Sequence, residues 1–287
     1  MKNKERGNIA NFFWLFRPNR TIMVAMIAGT ASFSAGAGVG KSLLMFLGAW
    51  CLAVGGFSLD FYADRDLDAK GPRAKLRRNP LADGSLKPIV GLFFSGTFLI
   101  ASFIVVLGVA PLALIMWGVI LIVIIGLALH LFEAPLSRAA TLGLLQALYI
   151  LMGGMSGKMS LGLGILSCMF FFAMFGGRGM IDIRDFPQDE ITRVQTLPIK
   201  YGIKNTAWLT AVFLIIAYAL SLTAYFYGKF GIIYLYLDVA FIVIGLVCAF
   251  LFAVRPSPEL ARRLTPVFMM GEGTIICLAM ILGTVYK

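Results

Sequence analysis

Charged residues are scarce in this chain: only 14% of its 287 residues are Asp, Glu, Lys or Arg, whereas 60% are hydrophobic. Soluble domains carry about 25% charged residues, so a soluble protein of this composition could not cover its own surface. Histidine occurs only once, and the four cysteines show no C-x-x-C spacing. The sequence therefore argues against a zinc site, and we expect the cysteines to act as small, buried hydrophobic residues.

Long apolar stretches take the place of the missing charge, and they approach the ~20 residues that span a bilayer. Their pattern predicts an all-α polytopic membrane protein with nine transmembrane helices, in a single domain that covers residues 1–287. The predicted spans are 21–38, 42–60, 89–107, 111–131, 141–156, 162–180, 206–228, 232–253 and 265–285.

The basic residues are distributed asymmetrically between these spans, since 21 of the 25 Lys and Arg residues fall on one side. The positive-inside rule assigns that side to the cytoplasm, which predicts a cytoplasmic N-terminus and an external C-terminus. Two long cytoplasmic connections, near 61–88 and 181–205, are expected to cap the helices. The net charge of +11 thus reflects topology, and no pattern typical of nucleic-acid binding accompanies it.

Acidic residues are concentrated where these two connections begin. Eight of the 14 Asp and Glu residues lie in the windows 58–68 and 181–190. If the preceding spans continue as helices, each window stacks three carboxylates on one face, while Asp66 points elsewhere and Pro187 distorts the second helix. We call these sets the first acidic cluster (Asp60, Asp64, Asp68) and the second acidic cluster (Asp182, Asp185, Asp189).

The two clusters predict a magnesium site. Like charges at these spacings destabilise a bare helix, so each cluster favours a bound cation, and hard oxygen ligands favour Mg²⁺. Mg²⁺ commonly joins carboxylates to substrate phosphates, and basic residues on the same side would bind a diphosphate. The candidate metal ligands are all six aspartates, with Asp64, Asp68, Asp185 and Asp189 as candidate catalytic residues. The candidate diphosphate-binding residues are Arg17, Arg73, Arg78, Arg178 and Lys200.

Four stretches of the chain together resemble the UbiA-type intramembrane prenyltransferase superfamily. They are Arg17-Pro18-Asn19, Asp60 to Asp68, Asn79 to Gly84, and Asp182 to Asp189 followed by Thr196-Leu197-Pro198. The chain departs from the family where Asp60-Phe61 replaces the usual Asn-Asp and where Asn79 replaces a common Arg. It also reads His130 to Arg138 where relatives often carry a Tyr and a Lys.

The resemblance implies nine helices around a central cavity, with the active site opening to the cytoplasmic side. It also implies two Mg²⁺ ions that bridge the clusters to the diphosphate of an isoprenoid substrate. Ionisation would then give an allylic cation, which a small aromatic or lipid-like acceptor attacks. Aromatic side chains and a dry, apolar interior would protect that cation.

Two other functions fit parts of the pattern. A membrane terpene cyclase of the same family would use the substrate's own double bond as the nucleophile. A cation-coupled secondary transporter would place its charges near the bilayer midplane, whereas these acidic residues lie at helix ends. Within the spans, Glu272 is expected to face the cavity or to be protonated, and Asp238 and His130 are assigned structural roles.

Overall fold

The computed structural model describes residues 8–69, 79–192 and 194–287, and it is entirely helical in its regular elements over these ranges. The α-helices are α1 (Asn8–Phe16), α2 (Pro18–Ser34), α3 (Val39–Ala69), α4 (Pro88–Val109), α5 (Leu114–Ala128), α6 (Pro135–Gly154), α7 (Leu161–Thr192), α8 (Leu197–Tyr201), α9 (Ile203–Gly228), α10 (Ile232–Val254), α11 (Pro258–Pro266) and α12 (Gly273–Val285). A 3₁₀ turn, Pro111–Ala113, precedes α5, and a π-helix, Val267–Glu272, joins α11 to α12.

Eight helical segments in the described part of the chain are long and apolar enough to cross a membrane. They are α3, α4, Pro111–Ala128, α6, Leu161–Ile191, α9, α10 and Pro258–Val285. The first predicted span corresponds to α2, which has 17 residues and is therefore only about 25 Å long. That length is slightly short of the ~30 Å hydrocarbon core, so the ninth span remains a prediction.

Two helices are much longer than a bilayer requires. Helix α3 has 31 residues and α7 has 32, which makes each more than 45 Å long, or roughly 15 Å beyond the hydrocarbon core. Connections were predicted from residues 61 and 181, with the acidic residues stacked on one face if the helices continue. Both helices do continue through the clusters, to Ala69 and Thr192, and α7 passes Pro187 without ending.

The helices pack as neighbours in chain order, and α12 returns to pack against α2. Helix α2 also packs against α6. This alternating arrangement brings the C-terminal ends of α3, α5 and α7 to the same end of the bundle as the N-terminal ends of α2, α6 and α9. We call this end of the molecule the acidic end, because it carries both acidic clusters.

Close helix approach depends on glycine at two positions. A Cβ at Gly153 would collide with the carbonyl oxygen of Ala28 on α2, and one at Gly162 would collide with the backbone of Gly228 on α9. A Cβ at Gly164 would meet nothing within 4 Å, so no close helix contact requires glycine there. The expectation of buried cysteines holds for Cys51 and Cys277 but not for Cys168, which is exposed.

Candidate active site

The first acidic cluster begins with an ion pair between Asp60 and Arg17. The Nη1 atom of Arg17 lies 3.5 Å from Oδ2 of Asp60. Arg17 adopts a left-handed backbone (φ 43°) at the junction of α1 and α2, and its guanidinium lies 3.7 Å from the ring centroid of Phe61. Phe61 is buried, so this departure from the family pattern provides an aromatic face that holds Arg17 beside Asp60.

Asp64, one helical turn further along α3, faces the end of α5. Its Oδ1 atom lies 3.6 Å from Nε2 of His130, and the neighbouring carboxylates of Asp60 and Asp68 repel its charge. The sequence analysis gave His130 only a structural role. The structure adds a contact between His130 and the first acidic cluster. His130 has a left-handed backbone (φ 56°) and lies just after the last turn of α5.

Asp68 is buried and is held by Asn79. The Asn79 Nδ2 donates hydrogen bonds to Oδ2 of Asp68 at 3.0 Å and to the carbonyl oxygen of Phe61 at 2.9 Å, while its Oδ1 accepts one from the Leu81 N–H. The remaining acid of this window, Asp66, points away from the cluster as predicted: its side chain is 75% exposed and pairs with Arg65.

The second acidic cluster carries its own arginines. Asp182 is buried and forms a 2.6 Å ion pair with Arg178 one turn earlier on α7, and its Oδ2 also accepts a hydrogen bond from the Leu197 N–H. Asp185 is half-buried and accepts two 2.8 Å hydrogen bonds from Arg184, a partner that the sequence analysis did not identify. Asp189 is buried.

Arg138, in the first turn of α6, lies within electrostatic range of both clusters. Asp60 and Asp64 on α3 and Asp182 on α7 attract its charge, while Arg178 repels it. Two guanidinium groups that repel each other favour an anion that binds both. The sequence analysis did not assign Arg138, although its position at the start of a helix on the basic side was a usable signal.

The other predicted basic residues are placed differently. Lys200 is exposed, and its Nζ lies 5.4 Å from the ring centroid of Tyr201. Arg73 and Arg78 lie outside the described residues. Their assignment, like the role of Lys200, stays a prediction.

The donor atoms at the acidic end fit magnesium. The aspartates supply carboxylate oxygens, which hard cations prefer, and the mutual repulsion around Asp64 favours a cation there. Within the three described ranges no three His, Cys, Asp or Glu side chains converge into a preformed metal site. Mg²⁺ usually takes only one or two carboxylates and completes its shell with water and substrate phosphate, so open clusters of this kind suit it when a diphosphate is present.

Buried acids inside the bundle are paired with hydroxyl groups. Glu272 ends the π-helix, is 4% exposed, and accepts a 3.1 Å hydrogen bond from the Tyr218 hydroxyl. Asp238 is fully buried and accepts a hydrogen bond from Ser221, which agrees with a structural role.

Comparison with known proteins places this geometry in a family context. The model of the UbiA prenyltransferase family matches residues 21–271. A digeranylgeranylglyceryl phosphate synthase of Halobacterium salinarum is 25% identical over 225 residues, which cover 77% of this chain and 80% of that protein.

Solved structures show the same fold. The structure of a digeranylgeranylglyceryl phosphate synthase is similar with a TM-score of 0.78 and 23% identity, over 98% of this chain and 99% of the other. A UbiA homolog from Archaeoglobus fulgidus bound to GPP and Mg²⁺ gives a TM-score of 0.74 at 16% identity, over 94% and 99% of the two chains.

Proposed function

The chain belongs to the UbiA prenyltransferase family, and from that premise we propose that it transfers a prenyl group, in a Mg²⁺-dependent reaction, to a lipid-like acceptor that carries a glyceryl phosphate. The general activity follows from the family and from relatives named as prenyltransferases: the protein is a membrane prenyltransferase that acts on isoprenoid diphosphates. The acceptor, the metal mechanism and the residue roles form the proposal.

The observation that carries the proposal is that Arg138 interacts electrostatically with aspartates of both acidic clusters. A diphosphate bound at this point would lie against carboxylates from α3 and α7 and within reach of guanidinium groups from α6 and α7. Arg138 and Arg178 repel each other less when an anion binds between them. The same anion would draw cations to the aspartates, whose like charges favour a bound cation.

Each group then has a defined task. The first acidic cluster and the second acidic cluster would hold two Mg²⁺ ions, and Arg17, Arg138 and Arg178 would bind the diphosphate oxygens. We retain Arg73, Arg78 and Lys200 as further diphosphate-binding residues. When bound, Mg²⁺ supplies Lewis-acid stabilisation of the negative charge on the departing diphosphate.

The reaction balances without a redox partner. The allylic C–O bond of the isoprenoid diphosphate breaks, and its electron pair leaves with the diphosphate. The acceptor hydroxyl oxygen forms a new C–O bond with the allylic carbon, and its proton passes to the released diphosphate. The arginines stabilise the leaving group, and the apolar interior keeps water away from the allylic cation.

The acceptor class comes from the relatives, which are named digeranylgeranylglyceryl phosphate synthases. Their product name describes a glyceryl phosphate that carries two geranylgeranyl groups. A lipid-like acceptor also suits a site at the end of a membrane bundle, because such a molecule can enter from the bilayer. We therefore favour this class over the aromatic alternative.

The remaining architecture is proposed on the same basis. We propose that α2 is the ninth span, that the nine helices surround a central cavity, and that the chain forms one domain over residues 1–287. The basic residues at the acidic end support a cytoplasmic opening of the active site, with the N-terminus on that side. Membrane lipid surrounds the protein, and no nucleic-acid partner is expected.

Product analysis tests the proposed reaction. The protein purified in detergent is incubated with geranylgeranyl diphosphate, Mg²⁺ and one of three acceptors: geranylgeranylglyceryl phosphate, its dephosphorylated analogue or 4-hydroxybenzoate. We expect a prenyl ether to form only with geranylgeranylglyceryl phosphate, in the same molar amount as the diphosphate that is released. Prenylation of the aromatic acid would overturn the acceptor class, and a cyclic hydrocarbon formed without any acceptor would identify a terpene cyclase.

A further inference from the structure

Tyr218 and Glu272 meet inside the bundle, on the inner face of α10. The Tyr218 hydroxyl on α9 donates its 3.1 Å hydrogen bond to Oε2 of Glu272, at the end of the π-helix. Helix α10 packs against both α9 and α12, and the Tyr218 hydroxyl occupies the space that a Cβ at Gly245 of α10 would fill. Tyr218 and Glu272 are only 2% and 4% exposed, so their side chains meet on the side of α10 that faces the interior of the bundle.

The other carboxyl oxygen of Glu272 lacks a partner. Its Oε1 atom is buried and accepts no hydrogen bond from the part of the chain that the structure describes. Buried oxygen atoms in native proteins are nearly always hydrogen-bonded, because an unsatisfied one loses its water without replacement. The π-helix that ends at Glu272 is also an irregularity that is frequent at functional sites. Both features indicate that Oε1 accepts a hydrogen bond from a bound molecule.

A contact with α7 shows how deep Glu272 lies. Met269 precedes Glu272 by three residues in the π-helix. Its Sδ atom lies 3.7 Å from the position that a Cβ on Gly177 would take, and Gly177 directly precedes Arg178 on α7. Glu272 follows Met269 away from the acidic end. It therefore lies within about two helical turns of Arg178, on the membrane side.

A contact with α2 gives the same depth independently. Gly273, which follows Glu272, packs against the side chain of Met23. Met23 lies six residues after Arg17, which is about 9 Å along the helix axis and away from the acidic end. Glu272 thus lies beneath the arginines proposed to bind the diphosphate. The allylic carbon must enter the bundle in this direction, because the prenyl chain leads from the diphosphate into the apolar interior.

The chemistry of the substrates identifies the partner of Oε1. The prenyl chain is a hydrocarbon and has no group that can donate a hydrogen bond. A glyceryl phosphate that carries one prenyl ether keeps one free hydroxyl group, and this hydroxyl must approach the allylic carbon for the new bond to form. The methionines beside Glu272 have flexible side chains that adapt to a bound molecule.

We propose that Glu272 is an acceptor-binding residue, whose Oε1 accepts a hydrogen bond from the glyceryl hydroxyl while Tyr218 fixes the carboxyl group through Oε2. The inference rests on the proposed function, because it concerns the acceptor of the same reaction. The hydrogen bond orients the hydroxyl oxygen towards the allylic carbon before the new C–O bond forms. The final destination of the proton, the released diphosphate, is unchanged.

Equilibrium binding tests this inference without measuring turnover. The protein in detergent is titrated with geranylgeranylglyceryl phosphate and with its deoxy analogue, in which a hydrogen atom replaces the hydroxyl group. Glu272→Met removes the carboxyl group, and Glu272→Gln keeps one side-chain oxygen. Asp238→Asn is the matched control. Asp238 is also a buried acid that accepts a hydrogen bond from a hydroxyl group, and its Oδ2 lacks a partner among the described residues. It lies near the start of α10, at the end of the bundle opposite the acidic end.

We expect the wild-type protein to bind geranylgeranylglyceryl phosphate about tenfold or more tightly than the deoxy analogue, because the analogue leaves Oε1 unsatisfied. Glu272→Met should bind the two lipids equally, and Glu272→Gln should keep part of the preference. Asp238→Asn should keep all of it.

Two results would refute the inference and leave the acceptor class intact: equal affinities of the wild-type protein for the two lipids, or an undiminished preference in Glu272→Met. The first comparison needs no variant, so it decides the matter even if Glu272→Met does not fold. Failure of the wild-type protein to bind either lipid would overturn the proposed acceptor class, and this inference with it.

Discussion

The amide of Asn79 donates a 3.0 Å hydrogen bond to the buried carboxylate of Asp68, and so ties the segment before α4 to the last turns of α3. The same amide also bonds the carbonyl of Phe61 and the N–H of Leu81. Asn79 stands where the related family commonly has arginine. In this chain it uses three hydrogen bonds, rather than a charge, to fix the first acidic cluster.

Asn79→Ala is therefore expected to lower the free energy of unfolding. The substitution leaves the buried Asp68 oxygen and the Leu81 N–H without these partners, which costs about 1–3 kcal/mol for each unsatisfied group. Thermal unfolding in detergent with EDTA present measures the effect. Asn205→Ala is the matched control, because its amide makes one exposed 2.9 Å hydrogen bond, to Tyr201. Equal stability losses in the two variants would show that the hydrogen bonds of Asn79 contribute no more to stability than an exposed hydrogen bond does.

Removal of one aspartate from either cluster is expected to abolish turnover. Asp64→Ala and Asp185→Ala each delete a predicted Mg²⁺ ligand, while Asp64→Ala also removes like-charge repulsion and should leave the fold intact. Asp66→Ala is a control from the same window, since its side chain is 75% exposed and pairs with Arg65. Diphosphate release with saturating Mg²⁺ is the measurement. Near-normal activity of both cluster variants would contradict the metal-clamp hypothesis.

Arg138→Gln is expected to weaken the use of the diphosphate substrate. Loss of a charged hydrogen-bond donor costs about 1.5–3 kcal/mol, which corresponds to a roughly 10- to 100-fold lower kcat/KM. Arg138→Lys should retain part of the activity as a point charge without the guanidinium fork. Arg263→Gln serves as a control, because that side chain is exposed and forms an ion pair with Glu259 one turn earlier on α11. A wild-type kcat/KM for Arg138→Gln would show that Arg138 does not bind the diphosphate.

Gly153→Ala and Gly164→Ala are expected to change stability in opposite directions. Alanine gains about 1 kcal/mol over glycine in a helix interior, and Gly164 has room for the added methyl group. At Gly153 the methyl group meets the backbone oxygen of Ala28, and overpacking of this kind costs about 1–3 kcal/mol. Thermal unfolding of the two variants beside wild type measures both effects. If Gly153→Ala were more stable than the wild-type protein, α2 and α6 would be able to move apart without a loss of stability.

The helical periodicity of the acidic residues was visible in the sequence because the spacings i, i+4, i+8 of the first cluster and i, i+3, i+7 of the second each share a face in any continuous helix. The sequence did not reveal where α3 and α7 end, since hydropathy falls at the membrane surface whether or not the helix continues. The π-helix Val267–Glu272 was likewise not predicted, because an extra residue in one helical turn does not change the composition of the segment. The short α2 shows the same limit: its apolar content was evident, but its length depended on where the flanking turns formed.

The sequence by itself determined that this protein lies in a membrane, because composition and span length decide between water and lipid. It also determined the aspartate-rich helix faces and the family, because these depend on residue types at fixed local spacing. Tertiary structure decided which side chains meet the aspartates. Arg17 lies at the start of α2, and His130 and Arg138 lie on either side of the connection between α5 and α6; helix packing and two left-handed backbone positions bring them to the acidic end. Local spacing carries no record of such contacts, so only the folded chain could show them.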